Sequence, residues 1–174
     1  MERIEFDLVL PQMIKKIKEG SFLIVQAGDD LNVMTIGWAS FGFFWGKSVA
    51  TIAVRTSRYT YEIIERAKDF SVSIPMEDMS EEIEFCGTQS GRNCDKLKKC
   101  NLKIFPAIKV RSPILDIAGI HIECKIVYKS PIDPKWLTEE YETIYPQKDF
   151  HTFYFGEVME CFSTEDEKAS FGRV

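Results

Sequence analysis

The chain has 174 residues, 45% hydrophobic and 28% charged, a balance that supports one globular core and excludes a disordered polypeptide. Its formal net charge of −5 opposes nucleic-acid binding, and no apolar run approaches the roughly 20 residues of a membrane span. Five cysteines without a CxxC pair and two histidines offer no zinc or iron–sulfur pattern, so no metal site is expected.

Met1 leads directly into a charged stretch with no signal-peptide core, which predicts a cytoplasmic protein with reduced thiols. Residues 1–10 alternate loosely through Ile4, Phe6 and Leu8 and predict a short edge strand. Pro11 then opens a short helix with Met13, Ile14 and Ile17 on its apolar side, ended by Gly20. SFLIVQAG reads as a strand, and Gly28, Asp29 and Asp30 form a turn.

Residues 32–60 read as two long strands joined by an aromatic corner, ending in a polar loop. In 32–40, Met34, Ile36 and Trp38 suit a core, while Val33, Thr35, Gly37 and Ala39 form a mostly small opposite face. Such a low face accepts either a planar ring or tight packing against a helix or second sheet. Phe41, Phe43, Phe44 and Trp45 cannot all be buried in one hairpin corner, which points to an interface. The run SVATIAVR is apolar on both faces until Arg55, as a central strand would be.

From Arg58 to Lys68 the period turns helical, with Tyr61 and Ile64 on one side and Glu62 and Arg66 spaced as an i,i+4 ion pair. FSVSIP is a strand, Ser80 caps a helix beginning EEIEFCG, and a glycine-bearing polar loop precedes the short helix DKLKKC. Strands are expected at 102–105, 108–110, 114–115 and 119–129, then loop and short helix over 133–145. HTFYFGEVMECF is the last long strand, and 165–168 a solvated charged tail. Eight or nine strands with three short helices fit an all-β barrel or sandwich forming one domain over 1–174.

Two stretches offer chemistry. In Arg55, Thr56, Ser57, Arg58, Tyr59 and Thr60, hydroxyls and guanidinium groups beside a helix start suit a phosphate; the alternative is a helix cap with surface arginines. The loop 87–96, with Ser90, Gly91 and Lys96, either wraps an anion or simply joins two helices. Rossmann, P-loop, HExxH and GxSxG patterns are absent, and His121 and His151 read more readily as core or surface residues than as catalysts. With no evident acid, base or metal, a cofactor would carry the chemistry, and a planar phosphorylated one such as FMN matches the low face and polar loop.

The stretch NVMTIGWASFGFFWGKSVATIAVRTSRYTYEIIERAKDFSVSIP resembles the flavin reductase-like family of FMN-binding split barrels, in its flavoredoxin-type branch. FCGTQSGRNCDKLKKCNL resembles that branch's second signature, and HTFYFGEVMECF its closing strand. The resemblance implies a mainly β Greek-key split barrel and a homodimer with one FMN per subunit near the interface. It implies that Met34, Thr35, Trp38, Ala39 and Ser40 lie beside the isoalloxazine, and that Val54, Arg55, Ser57, Arg58, Tyr59 and Thr60 hold ring edge and phosphate. Ser90, Gly91 and Lys96 are implied as further cofactor contacts. Thr56 and Cys94 depart from the branch's usual Pro and Val. Family members reduce flavin with NAD(P)H or carry electrons to a redox partner protein, so the implied function is an FMN-dependent oxidoreductase or an electron carrier.

Overall fold

Ten strands and five α-helices form among residues 2–164, the residues described by this computed structural model. The strands are β1 (Glu2–Arg3), β2 (Ser21–Ala27), β3 (Asp30–Ile36), β4 (Ala39–Phe44), β5 (Lys47–Arg55), β6 (Asp69–Pro75), β7 (Ile104–Phe105), β8 (Ile114–Leu115), β9 (Gly119–Pro131) and β10 (His151–Ser163). The helices are α1 (Phe6–Ile17), α2 (Tyr59–Ile64), α3 (Ser80–Thr88), α4 (Lys96–Lys99) and α5 (Glu139–Glu142).

The main sheet runs β3-β2-β6-β9-β10-β5-β4 with antiparallel neighbours, and β1 extends the free side of β10. β3 and β4 lie at opposite ends of that order yet are separated in sequence by Gly37 and Trp38 alone, so the sheet curls until its ends meet. A backbone bond from Ala53 N to Trp38 O, 3.2 Å, stitches the corner. This is the split barrel that the sequence implied, mainly β with few helices.

The interior holds Leu23, Val25, Met34, Ile36, Ile52, Val54, Phe70, Val72, Ile122 and Tyr154. α1 plugs it with Phe6, Val9, Met13 and Ile17, which recur at helical spacing and are buried. That spacing overrides the expected edge strand over residues 1–10: the strand is confined to Glu2–Arg3, and Leu8 is left outside. Pro11 lies inside α1 on its exposed side, where water can satisfy the carbonyl that the missing N–H leaves open.

A second apolar cluster sits on the outer face of β2–β3, where Phe22, Ile24 and Val33 meet Cys86, Leu102, Leu115 and Ile117. β2 therefore buries both faces, α3 and α4 are held over β3, and β8 is held against β6, where Leu115 N donates to Ser73 Oγ at 3.1 Å. The expected strand at 108–110 does not form. Ile108 N and Lys109 N donate instead to the buried Glu123 carboxylate at 2.8 and 2.6 Å, a side-chain substitute for a ladder.

Other local expectations are corrected. Ser80 is the first helical residue of α3, not its cap, and its N–H donates to Asp78 Oδ1 at 3.1 Å. Glu62 pairs with Arg92, while Arg66 pairs with Asp30 at 2.8 Å, so the i,i+4 ion pair is replaced by two longer-range ones. The aromatic corner turns at Trp45 (φ 53°) and Gly46 (φ 73°), the left-handed conformations of a tight hairpin. The charged tail at 165–168 lies outside the described residues.

Candidate functional site

Over the β3 strand, the sequence after β5 and the segment after α3 converge. A cavity of about 150 Å3 is lined there by Asn32 and Met34, by Ser57 to Thr60, and by Cys86 to Arg92 together with Lys96. Lys96 is 5% exposed because the second apolar cluster holds α4 against β3. Its Nζ donates to Cys86 O at 2.7 Å, and the charged or ionisable groups that act on it are three thiols and Arg58, with no carboxylate among them. Burial lowers its pKa, while the thiols oppose that shift. Arg58 donates Nη1 to Gly87 O at 3.0 Å. Three cations thus line the cavity, Arg58, Lys96 and the Glu62-paired Arg92, together with hydroxyls and no carboxylate, which suits an oxyanion such as phosphate. α2 is only six residues long, so the positive character comes from side chains rather than from a long helix dipole.

Gly91 forms one wall by passing close to Asn32 and Tyr59; a Cβ there would stand 2.8 Å from Tyr59 Cδ1 and inside the contact distance of Asn32 Oδ1. Asn32 Nδ2 in turn donates to Thr60 Oγ1 at 2.7 Å, tying β3 to α2. Beyond this wall lies a larger cavity of about 530 Å3. Asp29, Asp30 and Asp95 line it beside Arg92 and Lys96, so carboxylates are present there that the first cavity lacks, and an anion is favoured less despite the larger size.

A third cavity, about 190 Å3, adjoins the first through Met34 and Arg58, which line both. Thr35, Ile36, Gly37, Trp38, Ala53, Arg55 and His151 complete it. The Trp38 and His151 rings pack at a 36° tilt with centroids 4.6 Å apart, and Tyr145 Oη lies 2.8 Å from His151 Nδ1. Burial, with Arg55 and Arg58 adding to it, pushes the His151 pKa down to about 4, so the imidazole is neutral near pH 7. Arg55 is held by Asp149 at 3.0 Å and lies over the Tyr145 ring. Ser57 Oγ donates to the same Asp149 at 2.8 Å. Burial raises the Asp149 pKa, but the bonds from Ser57 and Arg55 outweigh it and hold the carboxylate below its usual value.

Eight of the residues singled out in the sequence meet at the first cavity: Met34, Ser57, Arg58, Tyr59, Thr60, Ser90, Gly91 and Lys96. Thr35, Trp38 and Arg55 line the adjoining one. Ala39, Ser40 and Val54 line neither cavity. Val54 is fully buried in the barrel, Ala39 packs against that core, and Ser40 is exposed on β4. The strand is interrupted at Gly37 and Trp38, which separates β3 from β4, so the strand expected over 32–40 does not present one continuous face.

Trp38 accordingly leaves the core and is 48% exposed over the cavity. The low face at Thr35 is closed by α3, since Thr35 Oγ1 donates to Ile83 O, and both Gly20 and Gly87 come close to its side chain. Tight packing, rather than an open platform, is its use. Sequence reasoning missed His151, Tyr145 and Asp149. The signal was present in the Asp149-Phe150-His151 run just before the last strand, but its value rests on pairing that strand with β5, where His151 faces Arg55.

Comparison with known proteins places the architecture. The fold matches a flavoredoxin of Desulfovibrio vulgaris with a TM-score of 0.66 at 22% identity, covering 84% of this chain and 69% of that one. An FMN-binding protein of Thermus thermophilus matches with a TM-score of 0.69 at 19% identity, covering 88% and 75%. An uncharacterized protein of Pyrococcus abyssi is 27% identical over 156 residues, covering 88% of this chain and 78% of that protein. A family model described as the flavin reductase-like domain matches residues 17–172, and the chain belongs to that family.

Proposed function

We propose that this chain is a flavin-dependent oxidoreductase that binds FMN across the two adjoining cavities, with NAD(P)H as electron donor. One observation carries the reading: the buried Lys96, without a carboxylate partner, lines with Arg58 a cavity that opens beside the Trp38–His151 pair. A buried ammonium in that state costs stability, and a phosphate would repay it. Family membership and the fold shared with an FMN-binding protein support the same assignment.

In this reading Arg58 and Lys96 hold the phosphate, with Ser90 and the Gly91 backbone beside them. Arg55 is neutralised by Asp149 and serves to fix the cavity that takes the ring. Trp38 and His151 wall that cavity, and Tyr145 orients the imidazole through Nδ1, leaving Nε2 as its second polar atom. A neutral His151 avoids adding a third positive charge beside Arg55 and Arg58. FMN when bound supplies the hydride and electron chemistry. We read the exposed aromatic side chains of the β4–β5 hairpin, Phe43, Phe44 and Trp45, as the contact surface of a homodimer.

A second reading, a flavoredoxin-like carrier that passes electrons to a partner protein, is favoured by the fold shared with the Desulfovibrio flavoredoxin. The decisive experiment is titration of the purified chain with FMN, followed by NAD(P)H turnover with an electron acceptor. Saturable flavin binding is expected, weakened by Arg58→Ala by about 1.5–3 kcal/mol, the worth of a charge-assisted bond. Rapid NAD(P)H oxidation favours the reductase, and stoichiometric flavin without turnover favours the carrier. A chain that takes up no flavin defeats both.

A further inference from the structure

The thiol cluster behind the first cavity is used by none of the chemistry above. Cys86 lies in the last turns of α3 and is 1% exposed; Cys100 caps the C-terminus of α4 and is half-buried. Their thiols are neighbours that interact electrostatically, and both pack into the second apolar cluster with Leu97 and Leu102. Cys94 stands near them with its thiol 3.6 Å from Ser90 O. The Lys96 ammonium acts on all three thiols, and its bond to Cys86 O fixes the backbone at the buried end of the pair. The segment between Cys86 and Cys100 is the one that carries Ser90, Gly91 and Lys96.

We propose that Cys86 and Cys100 form a reversible disulfide, made by hydrogen peroxide, that staples the two ends of this segment. The part-exposed Cys100 thiol reacts first. Its sulfur attacks one peroxide oxygen, the O–O bond breaks, and the thiol proton leaves with the departing hydroxide as water, giving a sulfenic acid. Cys86 sulfur then displaces the sulfenic hydroxyl, which departs as a second water with the Cys86 proton. Two thiols and one peroxide become one disulfide and two waters. Burial raises both thiol pKa values, Cys86 to about 12, and Lys96 offsets part of that rise, so the attack is slow and the expected linkage forms over a prolonged exposure to peroxide. Burial in an apolar cluster does not oppose the product, because a disulfide carries no charge.

The test uses the flavin-free chain, so its outcome is independent of the flavin assignment. The protein is reduced with dithiothreitol, desalted, treated with equimolar hydrogen peroxide, and read by intact mass and non-reducing peptide mapping. The expected result is loss of the mass of two hydrogens and a peptide joining Cys86 to Cys100, both reversed by dithiothreitol. Cys100→Ser should abolish the link and Cys94→Ser should keep it. An unchanged mass, oxygen adducts without a crosslink, or a link from Cys86 to Cys94 would overturn the proposal.

Discussion

Lys96 shows most directly how one residue is shared between folding and binding. A buried ammonium that donates to a single carbonyl is poorly compensated, so Lys96→Met should leave stability unchanged or raise it. The same change should weaken FMN binding by about 1.5–3 kcal/mol, tenfold or more in Kd. Calorimetric titration beside a urea melt separates the two effects; parallel loss of both would make Lys96 a purely structural residue. His121 is the contrasting case. It is fully buried, lies 2.9 Å from Ser73 Oγ and stacks on Phe162, and burial lowers its pKa to about 4. The unfolded chain therefore binds more protons between about pH 6.5 and 4, so the contribution is complete above pH 6.5 and lost as pH falls through that window. The size is on the order of 3 kcal/mol, and because His151 titrates in the same window, His121→Gln should remove about half of the pH dependence of the urea midpoint there. A profile as steep as that of the native chain would assign the effect elsewhere.

At the scale of elements, α1 and the 87–96 segment do different work on opposite sides of the barrel wall. α1 is a plug. Met13→Ala should cost about 2–5 kcal/mol through the cavity it leaves, whereas Leu8→Ala, at an exposed position, should fall within about 0.5 kcal/mol. Equal effects in urea unfolding would contradict the helical assignment of residues 6–17. The 87–96 segment is a wall, and its local sequence is informative because glycine is needed where the backbone passes between Asn32 and Tyr59. Its short helix was legible too, since Asp95 accepts from Lys98 N at 3.2 Å as a cap should. Less legible was the strand at 108–110: its apolar residues read as extended, but Glu123, distant in sequence, satisfies its amides.

At the scale of the molecule, the surface carries one coherent aromatic feature. Phe44, Trp45, Tyr128 and Phe155 interlock with centroids 5.5–6.3 Å apart, and Phe43, Phe44, Trp45 and Tyr128 are each half or more exposed. Phe41 is not part of it, being sealed by Phe6 at 6.3 Å. A patch of this kind marks a contact surface, and a second copy of the chain is the proposed partner. Sedimentation should report a dimer at micromolar concentration and a monomer after Trp45→Glu, with the far-UV spectrum unchanged. A monomeric native chain would remove the interface from this hairpin.

The sequence by itself determined the alternating strands, the surplus of aromatic residues at the hairpin, and the polar groups of 55–60 and 87–96. Those properties are local: side-chain period, turn chemistry and residue type act over a few neighbours. Only the tertiary structure decided that β3 and β4 separate at Gly37, and that α3 closes the Thr35 face. It also decided that Trp38 meets His151 and that Asp149 claims Arg55 and Ser57. Each of these depends on which strand pairs with which, and curling the sheet until its ends meet joins residues that no local pattern connects.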